Sequence, residues 1–488
     1  MLIDGRRVDV DLSQSITVRS PVTGLKLGSI SDASPEQVSL AVAAAERAFE
    51  SWRRVSGSER GNLMNRLAAL IERDAEEFAT LESTDNGKLA RETRAQALFA
   101  ARNYRYFAGL ADKLEGRSIP LDSWDTLDYT RREPAGVAAL ITAWNSPMQL
   151  LANKLAPALA AGCTVVIKPS EVAPLSTLAF GGLFEEAGFP PGVLNIITGG
   201  AAAGASLTGD SRLGTISFTG SVATGQAIAR AAAETLVPLT LELGGKGANI
   251  IFNDADIERA IPGTVAGIFA AGGQTCVAGS RLLVQSGIAA SVEERLAFEA
   301  SKVRLGDPLS AETDMGPVAS EEQRERILSA IADARPSATL LAGGGTPKPS
   351  RLPPHLARGS FVEPTVFSEV DPASDLAQQE IFGPVLAITR FETESDALRI
   401  ANSTDFGLAA GLWTSDVSRA HRVARDLTAG TVWVNTYRYS AAQAPFGGFK
   451  RSGYGRERGL EAVDAYLRTK NVLVDLSGDV RDPFAIKS

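Results

Sequence analysis

Cysteine and histidine are scarce in this 488-residue chain, which holds two of each. Cys163 and Cys276 stand 113 positions apart (276 − 163), a spacing that makes neither a disulfide framework nor a cysteine-based metal cluster, so no metal site is expected. The histidines are no better placed: His355 lies in the loop-like KPSRLPPHLARGS and His421 on an amphipathic helical stretch, TSDVSRAHRVARDL. Both read as surface residues, which argues against a Cys-His or Ser-His-Asp hydrolase and leaves carboxylates and lysines as the available bases. Positive charge is also short. Against 57 acidic residues there are 49 Lys and Arg, a net charge of −8, and nucleic acid or an anionic membrane is not expected as the main partner. Long hydrophobic runs are missing as well. The best candidate, LLANKLAPALAAGCTVVI, is interrupted by Asn153, Lys154 and Pro157, well short of the roughly 20 apolar residues a membrane helix needs. The opening MLIDGRRVDVDLSQ is broken by Asp4, Arg6 and Arg7, unlike a secretory signal, and a reduced, cytoplasmic protein is expected.

What is present is ordinary globular material, 44% hydrophobic and 22% charged, and long enough for two or three domains of about 150 residues. Apolar residues recur at three- and four-residue steps from about 35 to 113, predicting helices, with Ser34 ahead of Glu36 and Gln37 as the first start signal. Residues 114–136 break that period and predict a strand pair that leaves the main body. Five Val- and Ile-rich runs follow, GVAALITAW, TVVIK, GVLNII, GTISFT and PLTLEL, each separated by a helical stretch. That alternation predicts a doubly wound parallel sheet of nucleotide-binding type. It restarts with ANIIF, RLLVQ, VLAITRF, GLAAGLWT and TVWVN, predicting a second α/β domain. The tail from Ala465, AYLRTKNVLVDL, reads as a terminal strand with no evident local partner, and so as one that invites pairing with another chain.

Chemistry concentrates in three places. Cys163 enters a buried strand, where cysteine behaves as a small hydrophobe, whereas Cys276 sits outside any periodic run in GGQTCVAGSR. Its setting allows either a nucleophile or a buried small residue. Glu242, at the end of LTLELGGKG, is either a base raised toward neutrality by burial or a strand-end glutamate paired with Lys246. No G-x-G-x-x-G or Walker motif occurs. Instead, FTGSVATGQAIARAAAE places Gly220, Ser221 and Gly225 between a strand and a helix, where main-chain N–H groups can face a pyrophosphate. The nearby GGAAAG, residues 199–204, reads as a decoy of the same kind.

With Asn145 in TAWNSPM, Glu242 in LELGGK, Cys276 34 residues later (276 − 242), Glu380 in QQEIFGPV and the run WVN…PFGGFKRSGYGRE, the chain resembles the aldehyde dehydrogenase superfamily from about residue 20 onward. The resemblance implies an NAD-dependent, non-phosphorylating enzyme that converts an aldehyde to its acid. Cys276 would be the nucleophile, Asn145 an oxyanion donor, Glu242 the base that activates water, and Lys154 a further member of the catalytic set. It implies cofactor contacts at Trp144, Lys168, Glu171, Gly220, Ser221, Gly225, Gly244, Glu380 and Phe382, with the acid at Glu171 favouring NAD over NADP. It sets Leu150, Asn153, Thr275, Val277, Arg438, Ser440 and Phe446 around the substrate. Asn153 and Ser440 suggest a wide, polar tunnel and a polar or functionalised aldehyde, and Arg438 could meet a carboxylate. The implied division is a Rossmann-like NAD-binding domain (1–115 and 135–243), a catalytic domain (244–451) and a small β arm (116–134 and 467–488) that builds a homodimer or homotetramer. A coenzyme A-acylating dehydrogenase and a non-catalytic nucleotide-binding protein of the same fold are the alternatives. The glutamate at 242 weighs against the first, and the set Asn145, Glu242 and Cys276 against the second.

Overall fold

The fold was obtained as a computed structural model, which describes residues 1–9, 12–480 and 482–484. After the short strands Leu2–Ile3 and Arg6–Arg7 and the hairpin Ser15–Arg19 with Lys26–Ser31 come four helices, Pro35–Trp52, Gly57–Arg73, Ala75–Asn86 and Ala90–Ala108. The first opens on a reciprocal capping box, in which Ser34 accepts from the Gln37 backbone and the Gln37 side chain accepts from the Ser34 N–H. The five predicted runs then form parallel strands in the order Leu194–Ile196, Thr164–Lys168, Val137–Ile141, Leu213–Thr219, Leu239–Glu242. Their residues are nearly all buried because helices cover both faces, which is why the runs are continuously apolar rather than alternating. Successive strands depart in opposite directions from Val137–Ile141. The crevice between its carboxyl end and that of Leu213–Thr219 is therefore a topological switch point, where such sheets bind ligands.

Three short additions to this sheet carry no periodic signal. Leu2–Ile3 and Arg6–Arg7 extend one edge, and Gly453–Tyr454 pairs antiparallel with Leu239–Glu242 at the other. Two-residue strands are too short for hydrophobic alternation to reveal them.

The second sheet has seven strands in the order Thr339–Ala342, Thr365–Ser368, Val385–Phe391, Arg281–Gln285, Ala248–Ile251, Ala409–Trp413, Thr431–Val434. All pairs are parallel except the first. The two four-residue strands at 339 and 365 add to the five expected ones. Only LGGKG separates the end of the first sheet at Glu242 from Ala248 of the second, so Glu242 stands at the junction. Two glycines are required there: a Cβ on Gly244 would lie 2.1 Å from Glu380 Oε2, and one on Gly245 would lie 2.3 Å from the Cys276 carbonyl oxygen.

The terminal strand Leu467–Asp475 corrects one expectation. It has a partner in its own chain, Thr126–Pro134, joined antiparallel over nine residue pairs from Leu467↔Pro134 to Asp475↔Thr126, with Ser118–Ile119 on the far side. More than 300 residues of sequence separate the two, so no local turn signal announces the pairing. The outer edge of Leu467–Asp475 carries no further strand among the described residues.

Candidate active site

The chain leaves helix Ile257–Ile268 and passes through three consecutive residues with positive φ, Ala271 (54°), Gly272 (60°) and Gly273 (70°). At Gly273 a Cβ would lie 2.1 Å from the Gly383 carbonyl oxygen, so a side chain is excluded there. The turn throws the Cys276 loop across the gap between the two sheets. Gln274 pins it: its buried amide accepts from the Ala319 N–H at 2.9 Å and donates to the Ala271 carbonyl at 3.3 Å.

The two cysteines now separate. Cys163 is fully buried, its Sγ donating to the Tyr466 carbonyl at 3.3 Å, and burial pushes its thiol up to about 11. Cys276 is partly exposed. Burial, with the carboxyl groups of Glu380, Glu242 and Glu457 behind it, pushes that thiol up to about 12. The resting group is therefore the neutral thiol, which must lose its proton to act as a nucleophile.

Asn145 sits between strand Val137–Ile141 and helix Pro147–Ala161, and its Nδ2 donates to the Gln274 carbonyl at 3.0 Å. An amide nitrogen carries two N–H groups, and this bond, to a carbonyl two residues before Cys276, uses one of them. The turn itself is held from behind by residues the sequence did not single out. Asn86 Nδ2 donates to the Trp144 carbonyl at 3.2 Å, and the buried Lys88 ammonium donates to the Asn145 carbonyl at 2.9 Å, Ser146 Oγ at 3.0 Å and Gln96 Oε1 at 2.7 Å. Fifty-seven positions separate Lys88 from Asn145, and nothing in the local pattern connects them.

Glu242 is buried, and neither carboxyl oxygen has a hydrogen-bond partner. Burial drives its pKa well above the usual range, and repulsion from Glu457 adds to this, against opposition from Lys154, Arg456 and Arg458. The pairing with Lys246 that one reading allowed does not form. Lys246 is itself buried, with its pKa pushed down to about 7 by burial and the neighbouring Arg281. Lys154 donates to Glu457 Oε1 at 2.5 Å and to Ser217 Oγ at 3.0 Å, making a buried ion pair next to Glu242.

Asn153 departs from expectation. Rather than lining a polar tunnel, its amide is engaged internally at both ends, with Oδ1 accepting from Asn103 at 2.7 Å and Nδ2 donating to Glu457 Oε2 at 3.2 Å. Unpaired polar atoms are costly in a buried site, so the asparagine is consumed in holding Glu457. Like Asn86 and Lys88, Glu457 is a residue that sequence reasoning passed over, although it ends the quoted GYGRE.

On the first sheet, Lys168 Nζ lies 3.6 Å from the Glu171 carboxylate. Ser221 caps helix Val222–Thr235, its Oγ accepting from the Thr224 N–H at 3.2 Å. Gly225 permits close packing, since a Cβ there would fall 2.6 Å from Leu243 Cδ2; one on Gly220 would fall 2.4 Å from the Phe218 ring. In GGAAAG, the Gly200 N–H donates to Asp32 Oδ1 at 3.0 Å. Across the gap, Glu380 Oε1 accepts from the Gly245 N–H at 2.8 Å, and burial raises that carboxyl to about 7. Phe382 meets Trp144 edge-on at 5.3 Å.

The remaining substrate candidates are less uniform. Leu150, Thr275, Val277 and Phe446 are half-buried, and Ser440 is exposed. Arg438 donates to the Ala266 carbonyl at 3.1 Å, a bond that occupies part of the guanidinium expected to meet a carboxylate.

Residues 8–472 match the Aldehyde dehydrogenase family. Among curated proteins, a betaine aldehyde dehydrogenase of Cereibacter sphaeroides is 43% identical over 483 residues, covering 99% of this chain and 98% of that protein. A (Z)-2-((N-methylformamido)methylene)-5-hydroxybutyrolactone dehydrogenase of Acinetobacter baylyi is 44% identical over 475 residues, 96% of each. Among solved structures, PnpE in complex with nicotinamide adenine dinucleotide, a protein also solved from Pseudomonas sp. WBC-3, superposes with a TM-score of 0.96 at 44% identity and 99% coverage of both chains. The betaine aldehyde dehydrogenase of Staphylococcus aureus with NAD+ gives 0.96 at 39% identity, covering 99% of this chain and 96% of that one.

Proposed function

The chain belongs to the aldehyde dehydrogenase family, an NAD-dependent enzyme that oxidises an aldehyde to the carboxylic acid, and from that premise we propose the following roles for its residues. Cys276 is the nucleophile, Asn145 and the Cys276 backbone N–H are the oxyanion donors, and Glu242 is the base for hydrolysis. The observation that carries this is the meeting, between two sheets, of a thiol, an amide bonded to the chain two residues before it and an unpartnered buried carboxyl that acts on the thiol.

Cys276 is partly exposed, so its thiol proton leaves to water; the thiolate then adds to the carbonyl carbon, and the former carbonyl oxygen becomes an oxyanion that takes an N–H of Asn145. When bound, NAD supplies the hydride acceptor. The acyl group then remains on Cys276 as a thioester. Glu242 removes a proton from water as its oxygen attacks the acyl carbon, and the C–S bond breaks to return the thiolate. Lys154 and Glu457 hold a fixed charge pair beside this base, and the negative member helps to raise the Glu242 pKa. A hydrolytic base of this kind favours release of a free acid over transfer to coenzyme A.

The residues present fit a dinucleotide. The Lys168–Glu171 pair and the Gly220–Gly225 turn stand at strand ends of the first sheet. Gly244, where a Cβ would strike Glu380, leaves a bare main-chain wall beside Glu380, Phe382 and Trp144. Glu171 would accept hydrogen bonds from the ribose hydroxyls of a bound dinucleotide and would repel a 2′-phosphate. Glu171→Gln is accordingly expected to lower the NAD-over-NADP ratio of kcat/KM by about tenfold. An unchanged ratio would remove that residue from the ribose site.

The pKa directions fix the pH dependence. A carboxyl raised by burial is protonated at low pH, and its basic form accumulates as pH rises; the raised Cys276 thiol has the same sign. Turnover should climb as pH rises through neutrality and into the alkaline range. A profile that is flat or falls over that span would contradict these assignments.

The relatives' printed names, betaine aldehyde and a formamido-methylene hydroxybutyrolactone, support a polar or functionalised aldehyde here. We further propose the division into an NAD-binding domain, 1–115 and 135–243, a catalytic domain, 244–451, and an arm, 116–134 and 467–488, of which residues 10, 11, 481 and 485–488 lie outside the described residues. The open edge of Leu467–Asp475 and the exposed Trp124, Leu127 and Leu473 support a homodimer or homotetramer built through the arm. Among the described residues no helix is long and apolar enough to cross a membrane. Two free cysteines support a reducing, cytoplasmic setting.

A further inference from the structure

Arg458 is a buried cation without a counterpart. Only 6% of its surface is exposed, yet the guanidinium makes no hydrogen bond or ion pair among the described residues, and its Nε is sealed from solvent. A guanidinium carries five N–H donors, and leaving them unmet in a low-dielectric interior is costly unless something else arrives to meet them.

Its surroundings say where that something would sit. The guanidinium carbon lies 4.5 Å from the centre of the Phe446 ring and 5.8 Å from that of Phe99, so two aromatic faces flank it. The backbone holds this arrangement, because Phe446 and Glu457 exchange both N–H···O bonds at 2.7 Å. On the same segment, Glu457 contacts Lys154 and Asn153, and the charge of Arg458 is felt by Glu242 and Cys276.

Glu457 is paired with Lys154, while burial raises the Glu242 pKa and neither of its carboxyl oxygens has a hydrogen-bond partner. The neighbouring Arg456 gives its Nη1 to the Gly448 and Gly455 carbonyls and supplies no negative charge. Among the described residues no carboxylate therefore stands within ion-pair distance of Arg458. Burial pushes the Arg458 pKa down, as expected of a cation whose neighbours do not fully stabilise it.

We propose that Arg458 receives a carboxylate on the substrate, so that the chain oxidises an aldehyde that also carries an acid group. This rests on the aldehyde oxidation at Cys276 argued above and names its substrate class. It transfers to Arg458 the anion-recognising part that the sequence suggested for Arg438, whose guanidinium is partly held by a carbonyl. Phe446 and Phe99 fix the plane of the guanidinium, which favours two-point contact with a planar carboxylate. A cationic substrate such as betaine aldehyde would meet repulsion in the same place.

The test compares two probes that differ by one charge, 4-oxobutanoate and its methyl ester, with betaine aldehyde as a third, each with saturating NAD. The wild-type enzyme should favour 4-oxobutanoate over the ester by about 10- to 100-fold in kcat/KM, mostly through KM, and betaine aldehyde should be poorer than either. In Arg458→Leu the ratio of acid to ester should fall toward one, and Arg458→Lys should restore part of it. A wild-type enzyme that treats acid and ester alike, or prefers betaine aldehyde, overturns the proposal even if neither variant folds. A ratio that survives Arg458→Leu does so as well. Absence of NADH with every aldehyde would instead refute the dehydrogenase reading on which the proposal depends, whereas turnover without charge preference leaves that reading standing and removes this one.

Discussion

Cys276→Ala is expected to abolish aldehyde oxidation, with a fall in kcat of at least about 10,000-fold, while NAD binds nearly as it does to the wild type. The size follows from what the sulfur does. Without it the carbonyl carbon stays planar, and no tetrahedral centre forms from which hydride can leave under the hold of Asn145. Glu242 cannot substitute, because a carboxylate is a far weaker carbonyl nucleophile than a thiolate and serves the later step. The change removes one sulfur from a partly exposed loop and leaves the Gln274 contacts that pin the loop in place, so the fold and the cofactor residues should be undisturbed. The check is NADH formation at 340 nm beside a fluorescence titration with NAD. Oxidation within tenfold of wild type would remove Cys276 from the chemistry.

Glu242→Gln is expected to separate the two halves of the reaction. The amide keeps the size of the carboxyl but cannot take a proton from water, so hydrolysis should slow by about 100- to 10,000-fold. Attack by Cys276 and hydride loss do not need that base. The first turnover should therefore remain rapid, giving a burst of about one NADH per active site followed by a slow steady rate. The absence of a burst, with the steady rate unchanged, would mean that another group activates the water. A burst lost together with the steady rate would mean that Glu242 acts before the thioester forms.

Much of this was legible in the sequence because the elements that hold the site obey strong local rules. The five buried strands from 137 to 242 are continuous apolar runs, and the first helix and helix Val222–Thr235 open on the serine caps Ser34 and Ser221 that a linear reading detects. The chemistry-bearing residues stood out by being out of place, as with a thiol among glycines and a carboxylate at the end of an apolar strand. What the sequence hid is what depends on contact across long separations. The pairing of Leu467–Asp475 with Thr126–Pro134 is non-local, and two-residue strands have no period to read. Lys88 and Asn86 act on the Asn145 turn from the far end of another helix pair, and a lysine in DNGK reads as surface until its three acceptors are seen. Asn153 shows the converse error. Its polarity was legible, but the direction of its amide was not, and it turned out to serve Glu457. Arg458 passed unnoticed for the same reason, because an arginine in a charged run announces nothing about burial.

The central claim is that the substrate carbon becomes covalently attached to one particular sulfur. Its most direct test is peptide mass mapping of Glu242→Gln quenched shortly after mixing with NAD and a carboxylated aldehyde. The account predicts a mass increase equal to the acyl group on the peptide that contains Cys276 and none on the peptide that contains Cys163. Formation of NADH with an unmodified Cys276, or an acyl group attached elsewhere, would contradict it.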